Sequence, residues 1–195
     1  MERNFYGILR VKDTTEDFKD CYKLFHGHTV HGFQFQDEDS RRIPTSYYGR
    51  KSGVGLAVEE NPRRYAQLAA DQALRIGVVG LGTGTMAAFG REGDYVRFYE
   101  INPRMVELSL GPSNLFTYVK DCPARVKIVM GDARLSMERE LRENRPQGFD
   151  VLAVDAFSGD SPPVHLLTKE AVELYMKHLK PDGILALHVS NRYLS

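Results

Sequence analysis

Hydrophobic and polar positions alternate over the first third of the chain. Between residues 5 and 58, short stretches rich in Phe, Tyr, Val, His and Gly place apolar side chains at every second position, as at 6–11 and 28–35. This alternation is typical of strands that pair in hairpins. We therefore predict a small N-terminal β-hairpin domain over residues 1–60.

The pattern changes after Pro62. Segments with helical periodicity now alternate with short apolar runs typical of buried strands. The predicted helices cover 63–74, 85–89, 135–143 and 169–179, and the predicted strands cover 76–79, 95–99, 126–130, 151–154 and 184–189. Repeated strand and helix indicate an α/β fold with a parallel sheet covered by helices. We predict a Rossmann-like nucleoside-binding domain over residues 61–195.

Composition and charge exclude several classes of protein. With 195 residues, 42% of them hydrophobic and 27% charged, the chain can bury a sizeable core and is neither disordered nor a membrane bundle. The 26 basic and 26 acidic residues cancel, so no overall field attracts nucleic acid, and we expect no nucleic-acid partner. Two cysteines cannot form a disulfide framework. No apolar run reaches the ~20 residues of a membrane span and no signal peptide is evident, so we expect a cytoplasmic location without membrane contact from this segment.

The turn after the first predicted strand of the second domain has three glycines at alternate positions, Gly80, Gly82 and Gly84. In such sheets, ligands bind beyond the carboxyl ends of the strands. The dinucleotide pattern G-x-G-x-x-G requires a glycine where this chain has Thr85, and the turn has no Lys or Arg for a phosphate. The spacing favours an adenosyl-sulfonium cofactor. A tight turn without a ligand is the alternative.

Two carboxylates follow the next two predicted strands. Glu100 ends one strand, where its side chain can accept hydrogen bonds from both ribose hydroxyls. Asp132, followed by Ala133, ends the other strand, where it can accept a hydrogen bond from the adenine amino group. Each could instead be an ordinary helix cap or turn residue. With the glycine turn, they predict a single nucleoside pocket.

Asp155 follows the fourth predicted strand and begins a polar loop. A carboxylate at this position could hold an amine nucleophile and accept its proton as the amine attacks a sulfonium carbon. We therefore predict that Asp155 is the catalytic residue, with a capping Asp in a Pro-rich turn as the alternative. Asp160, in the same loop, is either a turn residue or a second anchor for the amine.

The order of these motifs resembles the polyamine aminopropyltransferases, the spermidine synthase family. The resemblance covers residues 24–190. It rests on GLGTG at 80–84, YEIN at 99–102, GDA at 131–133 and FDVLAVD at 149–155. It implies a small β domain followed by a fold of the class I S-adenosylmethionine-dependent methyltransferase type, whose last two strands this chain would lack. Many members of the bacterial branch that it most resembles carry an N-terminal membrane region, so we expect a piece of a larger, membrane-attached protein.

The resemblance also implies a cofactor, an acceptor and further site residues. The cofactor would be decarboxylated S-adenosylmethionine or S-adenosylmethionine, and the acceptor a small amine such as putrescine. Gln34 would contact the cofactor, and Tyr47 and Tyr48 would flank the acceptor pocket. Packing of the two tyrosines where the domains meet is the alternative. The unpaired edge of the last strand would allow a homodimer.

Two departures from the family pattern bear on the substrate. The synthases place an Asp in the glycine turn to hold the aminopropyl ammonium. This chain has Thr83 at that position, and we expect Thr83 to contact the cofactor. Their catalytic loop has a second Asp where this chain has Ser158, and Asp160 comes two residues later. Polyamine binding normally needs several carboxylates. An S-adenosylmethionine-dependent methyltransferase of unknown acceptor and a noncatalytic nucleoside-binding domain therefore stay open as alternatives.

Three histidines, His26, His28 and His31, raise the question of a metal site. Alternation along one strand would place His26 and His28 on the same face. No acidic or Cys ligand lies at a suitable spacing, so we predict no metal. Hydrogen-bonded histidines between the domains are the expected arrangement.

Overall fold

The computed structural model of the chain describes residues 2–65, 73–157 and 163–189. Most of the predicted helix at 63–74 lies outside these ranges, and the model describes a single 3-10 turn there, Pro62–Arg64. Asp160 also lies outside the described residues. In the described part of the chain, no helix is both long enough and apolar enough to cross a bilayer.

The N-terminal part folds into a four-stranded antiparallel sheet of order β1-β2-β3-β4, which confirms the predicted hairpins. Its core side includes the buried Leu9 and Leu24, which the register of β2 with β3 places on one face. The strands are β1 Glu2–Asn4, β2 Gly7–Glu16, β3 Lys19–His26 and β4 Thr29–Phe35.

The turn between β3 and β4 corrects the prediction for two of the histidines. His26 is the last residue of β3 and pairs with Thr29, so His28 lies in the turn and not on the same strand. Gly27 adopts φ +61°, a left-handed conformation that glycine accepts at little cost and that reverses the chain here. His26 and His28 therefore do not share a strand face.

The second sheet has five parallel strands in the order β7-β6-β5-β8-β9, which confirms the α/β fold class. Strand β8, next to the central strand β5, is buried at all six positions, as expected for a strand covered on both faces. The last strand is longer at its start than predicted and ends one residue before His188. The strands are β5 Arg75–Val79, β6 Tyr95–Glu100, β7 Arg125–Met130, β8 Phe149–Val154 and β9 Leu179–Leu187.

Within the described ranges, four α-helices accompany the sheets, and the sequence patterns predict two of them. The predicted helices at 135–143 and 169–179 are α3 and α4, whereas α1 and α2 were not predicted. The predicted helix at 85–89 is a 3-10 segment, Thr85–Phe89, bounded by Gly84 and Gly90. The helices are α1 Gly53–Glu59, α2 Pro103–Leu110, α3 Ala133–Arg142 and α4 Lys169–His178.

The antiparallel sheet contacts the parallel sheet beside the glycine turn. Gly32 in β4 packs directly on Thr83, since a Cβ atom at position 32 would lie 2.8 Å from the Thr83 hydroxyl oxygen. The buried Gln34 side chain donates to the hydroxyl of Thr117 at 3.0 Å and accepts from its backbone N–H at 2.7 Å. The N-terminal sheet therefore forms one wall of the region beyond the strand ends. The domain boundary at residue 60 stays a prediction.

Candidate functional site

A cavity of about 380 Å³ opens beyond the carboxyl ends of β5, β6, β7 and β8. Its size is within the usual range for small-molecule sites. Residues of the N-terminal sheet, including His26 and His31, close one side. The predicted site residues on its wall are Gly80, Gly82, Glu100, Asp132, Ala133, Tyr47 and Asp155.

The glycine turn adopts a conformation in which side chains would not fit. Gly80, Gly82 and Gly84 all adopt positive φ angles, between +54° and +95°. A Cβ atom at Gly80 would lie 2.3 Å from the backbone oxygen of Asp155, so a side chain there would push the two strand ends apart. Backbone at Gly80 and Gly82 is thus exposed to the cavity without side chains, as a close-fitting ligand requires.

The side chain of Thr83 does not line the cavity. Its side chain is buried against Gly32, and its hydroxyl lies 2.7 Å from the Thr85 hydroxyl. Neither Thr83 nor Gly84 is among the residues that line the cavity. A contact between Thr83 and a cofactor therefore stays a prediction without geometric support.

Glu100 holds the glycine turn in place. One carboxylate oxygen accepts the Leu81 N–H at 2.8 Å, and the other accepts the Asn102 N–H at 2.7 Å. Burial raises the pKa of the Glu100 carboxyl, while these backbone hydrogen bonds act in the opposite direction. Each oxygen of an ionised carboxylate has a second acceptor position. Glu100 can therefore support the turn and still receive hydroxyl groups from the cavity.

Asp132 is the N-cap of α3 and also lines the cavity. One oxygen accepts the Leu135 N–H at 2.9 Å, which satisfies a helix N–H that has no partner within the helix. The other oxygen lies 2.9 Å from Nε2 of His165. Asp132 therefore caps α3, as the alternative interpretation expects, and also lies in the wall of the cavity. His165 was missed by the sequence analysis.

Asp155 lies at the end of β8, where three side chains surround its carboxylate. Oδ2 accepts the hydroxyl of Tyr47 at 3.1 Å and also that of Tyr48, and Oδ1 lies 2.6 Å from Nδ1 of His188. Only 7% of the Asp155 side chain is exposed. Burial, followed by the charge of Asp155, raises the pKa of Tyr47 and Tyr48 well above the usual value, so both hydroxyls stay protonated donors.

The sequence analysis also missed His188, although a signal for it exists. Val154 and Leu187 are partners in the parallel ladder, so Asp155 and His188 are the first polar residues after two paired strands. The rule that identified Asp155 therefore applies equally to His188. The His188 ring stacks on Tyr47 with 4.1 Å between ring centroids and lies 5.0 Å from the ring of Phe157.

A second cavity, of about 350 Å³, adjoins this group of residues. Tyr47 and Asp155 line both cavities, so they stand at the boundary between them. Tyr48 and His188 line the second cavity together with residues of α1 and β9. The two predicted acceptor-side tyrosines thus contact the predicted catalytic residue.

Of Gln34 and His31, only His31 lines the first cavity. Gln34 is not among the lining residues, because its amide is engaged by Thr117 and by the carbonyl of Arg41 at 2.7 Å. His31 lines the first cavity, is 9% exposed, and its Nε2 has no hydrogen-bond partner among the described residues. Burial, followed by the proximity of His26, lowers the pKa of His31 to about 4. Among those residues, no group of three His, Cys, Asp or Glu side chains is arranged to hold a metal ion.

No family model matches the chain. The model superposes on the crystal structure of a probable spermidine synthase from Corynebacterium glutamicum with a TM-score of 0.65 and 20% identity, covering 94% of this chain and 61% of that one. The chain has the class I methyltransferase-like fold and resembles the spermidine synthases. Both the fold and the resemblance predicted from the motifs are confirmed.

Two curated proteins are similar to this chain. It is 26% identical over 162 residues to a polyamine aminopropyltransferase from Vibrio vulnificus, covering 82% of the chain and 48% of that protein. It is 30% identical over 112 residues to an N-terminal histidine N-methyltransferase from Emericella nidulans, covering 57% of the chain and 19% of that protein. The chain therefore spans about half of one relative and about a fifth of the other.

Proposed function

We propose that the chain is a transferase that binds an adenosyl-sulfonium cofactor in the first cavity and alkylates a small amine. The observation that carries this proposal is that the glycine turn, Glu100, Asp132 and Asp155 all line one cavity. The similarity to a polyamine aminopropyltransferase and to a histidine N-methyltransferase supports it, because one name describes transfer of an aminopropyl group and the other transfer of a methyl group to nitrogen. The cytoplasmic location and the homodimer remain predictions.

The lining offers suitable partners for each part of an adenosyl group. Glu100 keeps acceptor positions for ribose hydroxyls, and glycine backbone at Gly80 and Gly82 allows close approach. Apolar side chains of Ile101 and Met105 lie on the same wall, where an aromatic base can pack. Asp132 could receive the adenine amino group on an acceptor position that Leu135 and His165 leave open.

The amine is expected at Asp155. A carboxylate in a nearly closed site can hold an ammonium or amine next to the sulfonium carbon and orient its lone pair. Tyr47, at the boundary of the two cavities, supplies an aromatic face beside it. The bound sulfonium compound would supply the electrophilic carbon. In the first form of the proposal, the group transferred is aminopropyl and the acceptor is an amine such as putrescine.

Methyl transfer from S-adenosylmethionine is the second candidate. The observation that favours it is Thr83 itself, which is buried against Gly32 and stands where the synthases have the Asp that holds an aminopropyl ammonium. An Asp in this turn would also repel the carboxylate of the intact cofactor, and that repulsion is missing here. We therefore expect less than a hundredfold preference, about 2.7 kcal/mol, for the decarboxylated compound.

Calorimetric titration of the chain tests the proposal. The titrants are S-adenosylmethionine, its decarboxylated form and methylthioadenosine, with NAD as a control dinucleotide. We expect the adenosyl compounds to bind at least tenfold more tightly than NAD. If none of them binds, the proposed function is wrong. A preference of a hundredfold or more for the decarboxylated form would favour aminopropyl transfer and show that another group anchors the ammonium.

A further inference from the structure

We propose that His188 accepts the proton of the attacking amine, and that Asp155 is a positioning residue for the His188 ring. This inference rests on the proposed function and adds a residue that the motifs did not suggest. The Asp155 carboxylate already has three side-chain partners. Tyr47, Tyr48 and His188 all contact it.

An ionised carboxylate has about four acceptor positions. The two tyrosine hydroxyls and the His188 ring occupy three of them. One position is left for a substrate, enough to help hold an amine. With three partners already in place, the carboxylate serves to hold and orient the groups around it.

His188 has the orientation that proton transfer requires. Its Nδ1 faces Oδ1 of Asp155 at 2.6 Å, and an ionised carboxylate can only accept, so Nδ1 carries the hydrogen. The neutral ring then has its lone pair on Nε2. Nε2 has no hydrogen-bond partner among the residues that the structure describes, and 30% of the side chain is exposed. Stacking on Tyr47 and contact with Phe157 fix the plane of the ring.

Three other imidazoles line the first cavity. His165 pairs Nε2 with Asp132 at 2.9 Å, but it lies beside the predicted adenine contact and not beside Asp155. His31 is enclosed and has no carboxylate hydrogen-bonded to it among the described residues. His26 directs Nε2 at the backbone oxygen of Tyr6, 2.7 Å away. His188 combines a carboxylate on Nδ1 with an accessible Nε2 at the cavity that Asp155 also lines.

The proposed step balances in atoms and charge. The lone pair of the amine nitrogen forms the new C–N bond, and the C–S bond breaks with its electron pair on sulfur, leaving a neutral thioether. The proton lost by the nitrogen passes to Nε2 of His188. The resulting imidazolium is stabilised by the Asp155 carboxylate on its other nitrogen.

Nitrogen NMR of the imidazole rings tests the tautomer without any substrate. In the ¹⁵N-labelled chain, with His188 assigned from a His188→Asn spectrum, we expect the neutral ring to carry its hydrogen on Nδ1. In Asp155→Asn we expect this preference to weaken. A neutral ring with its hydrogen on Nε2 in the parental chain would overturn the inference whether or not turnover is detected.

Kinetics of His188→Asn separate proton transfer from positioning. Asn can place an amide N–H near the position of Nδ1 and so keep the contact with Asp155, but it cannot accept a proton. With putrescine and each sulfonium compound as probes, we expect turnover to fall by roughly two to four orders of magnitude. Calorimetric affinity for methylthioadenosine should stay within about threefold. His28→Asn, on the exposed hairpin turn, is the matched control and should resemble the parental chain.

The pH profile identifies the group that takes the proton. The titratable groups facing the His188 ring are the Asp155 carboxylate, the Tyr47 hydroxyl and the His31 ring. We expect the acidic limb of the parental profile to be lost in His188→Asn and retained in His31→Gln. Parental turnover with an unchanged limb in His188→Asn would overturn the inference and leave the proposed function intact. Failure of the parental chain to bind any adenosyl compound would instead overturn the proposed function, while NMR would still decide the state of His188.

Discussion

Asp132 after β7 and Asp155 after β8 both line the first cavity and both contact a histidine, but the two aspartates have different surroundings. Asp132 begins α3 and gives one oxygen to the helix backbone. No helix begins directly after Asp155, and its partners are side chains from distant parts of the sequence. The Asp155 side chain is also less exposed than that of Asp132, at 7% against 21%.

This difference shows how a parallel sheet can use the same residue type in two ways. Where a helix starts at once, the carboxylate is recruited as its cap, because the first N–H groups of a helix need acceptors. Where no helix starts at once, the carboxylate is available to side chains and to a ligand. We therefore expect substitutions at Asp155 to affect turnover and those at Asp132 to affect stability and nucleoside affinity.

The largest expected effect is that of Asp155→Asn on turnover. The change keeps the shape and removes the charge that holds the amine and the His188 ring, so we expect a loss of roughly two to four orders of magnitude. Binding of methylthioadenosine should be nearly unchanged, because Glu100 and Asp132 contact that part of the ligand in our proposal. The measurement is steady-state transfer to putrescine beside calorimetry.

Asp132→Asn and Asp160→Asn are the comparison variants for this experiment. We expect the first to weaken adenosyl binding more than turnover, and the second to do less than Asp155→Asn. Near-parental turnover in Asp155→Asn together with an inactive Asp160→Asn would move the catalytic role along the loop. If neither Asp155→Asn nor Asp160→Asn affects turnover, amine transfer by this site is wrong.

His31 also lines the first cavity, but no carboxylate is hydrogen-bonded to its ring among the described residues. Its pKa in the folded chain is about 4, below the ordinary 6.5, so the unfolded chain binds the proton more readily between these values. Stability from this group is therefore present above about pH 6.5 and is lost as pH falls toward 4. The loss is on the order of 2–3 kcal/mol. Urea unfolding at several pH values should show a smaller acid loss for His31→Gln than for the parental chain, and equal losses would contradict the assignment.

Tyr48→Phe tests the tyrosine hydroxyl groups whose hydrogen bonds distinguish the surroundings of Asp155 from those of Asp132. It removes a buried hydroxyl from a carboxylate, which should lower the free energy of unfolding by about 1.5–3 kcal/mol. Tyr47→Phe removes a longer hydrogen bond at the cavity wall, and we expect a smaller loss of stability. The two variants are compared by urea unfolding at pH 7. A larger loss for Tyr47→Phe would show that Tyr48 is not the principal donor.

The smallest expected effect is the loss of the helix cap. Asp132→Ala should lower the free energy of unfolding by about 1 kcal/mol, a typical value for an N-cap residue. Thr168→Ala, which removes the equivalent cap of α4 away from the glycine turn, is the matched control for stability. Only Asp132→Ala should also weaken methylthioadenosine binding in calorimetry. Equal affinity in both variants would remove Asp132 from the nucleoside site.

Local patterns were sufficient for most of the fold. Apolar runs bounded by glycine and polar residues identified the parallel strands, since a buried strand must be apolar along its length. Helix α1 was not predicted, because its short sequence, with two glycines, has little helical signal. Helix α2 has a readable start in Asn102 followed by Pro103, so the missed signal there was a cap and not a periodicity.

By itself, the sequence determined the order of the strands along the chain, the glycine turn, and the acidic residues at three strand ends, because these depend on short-range periodicity and backbone conformation. The tertiary structure decided which of those residues share a cavity. It placed Thr83 and Gln34 in contacts between the two sheets, and it brought His188 to Asp155. That pairing depends on the register of β8 with β9, which many separate contacts fix together and which no short segment contains.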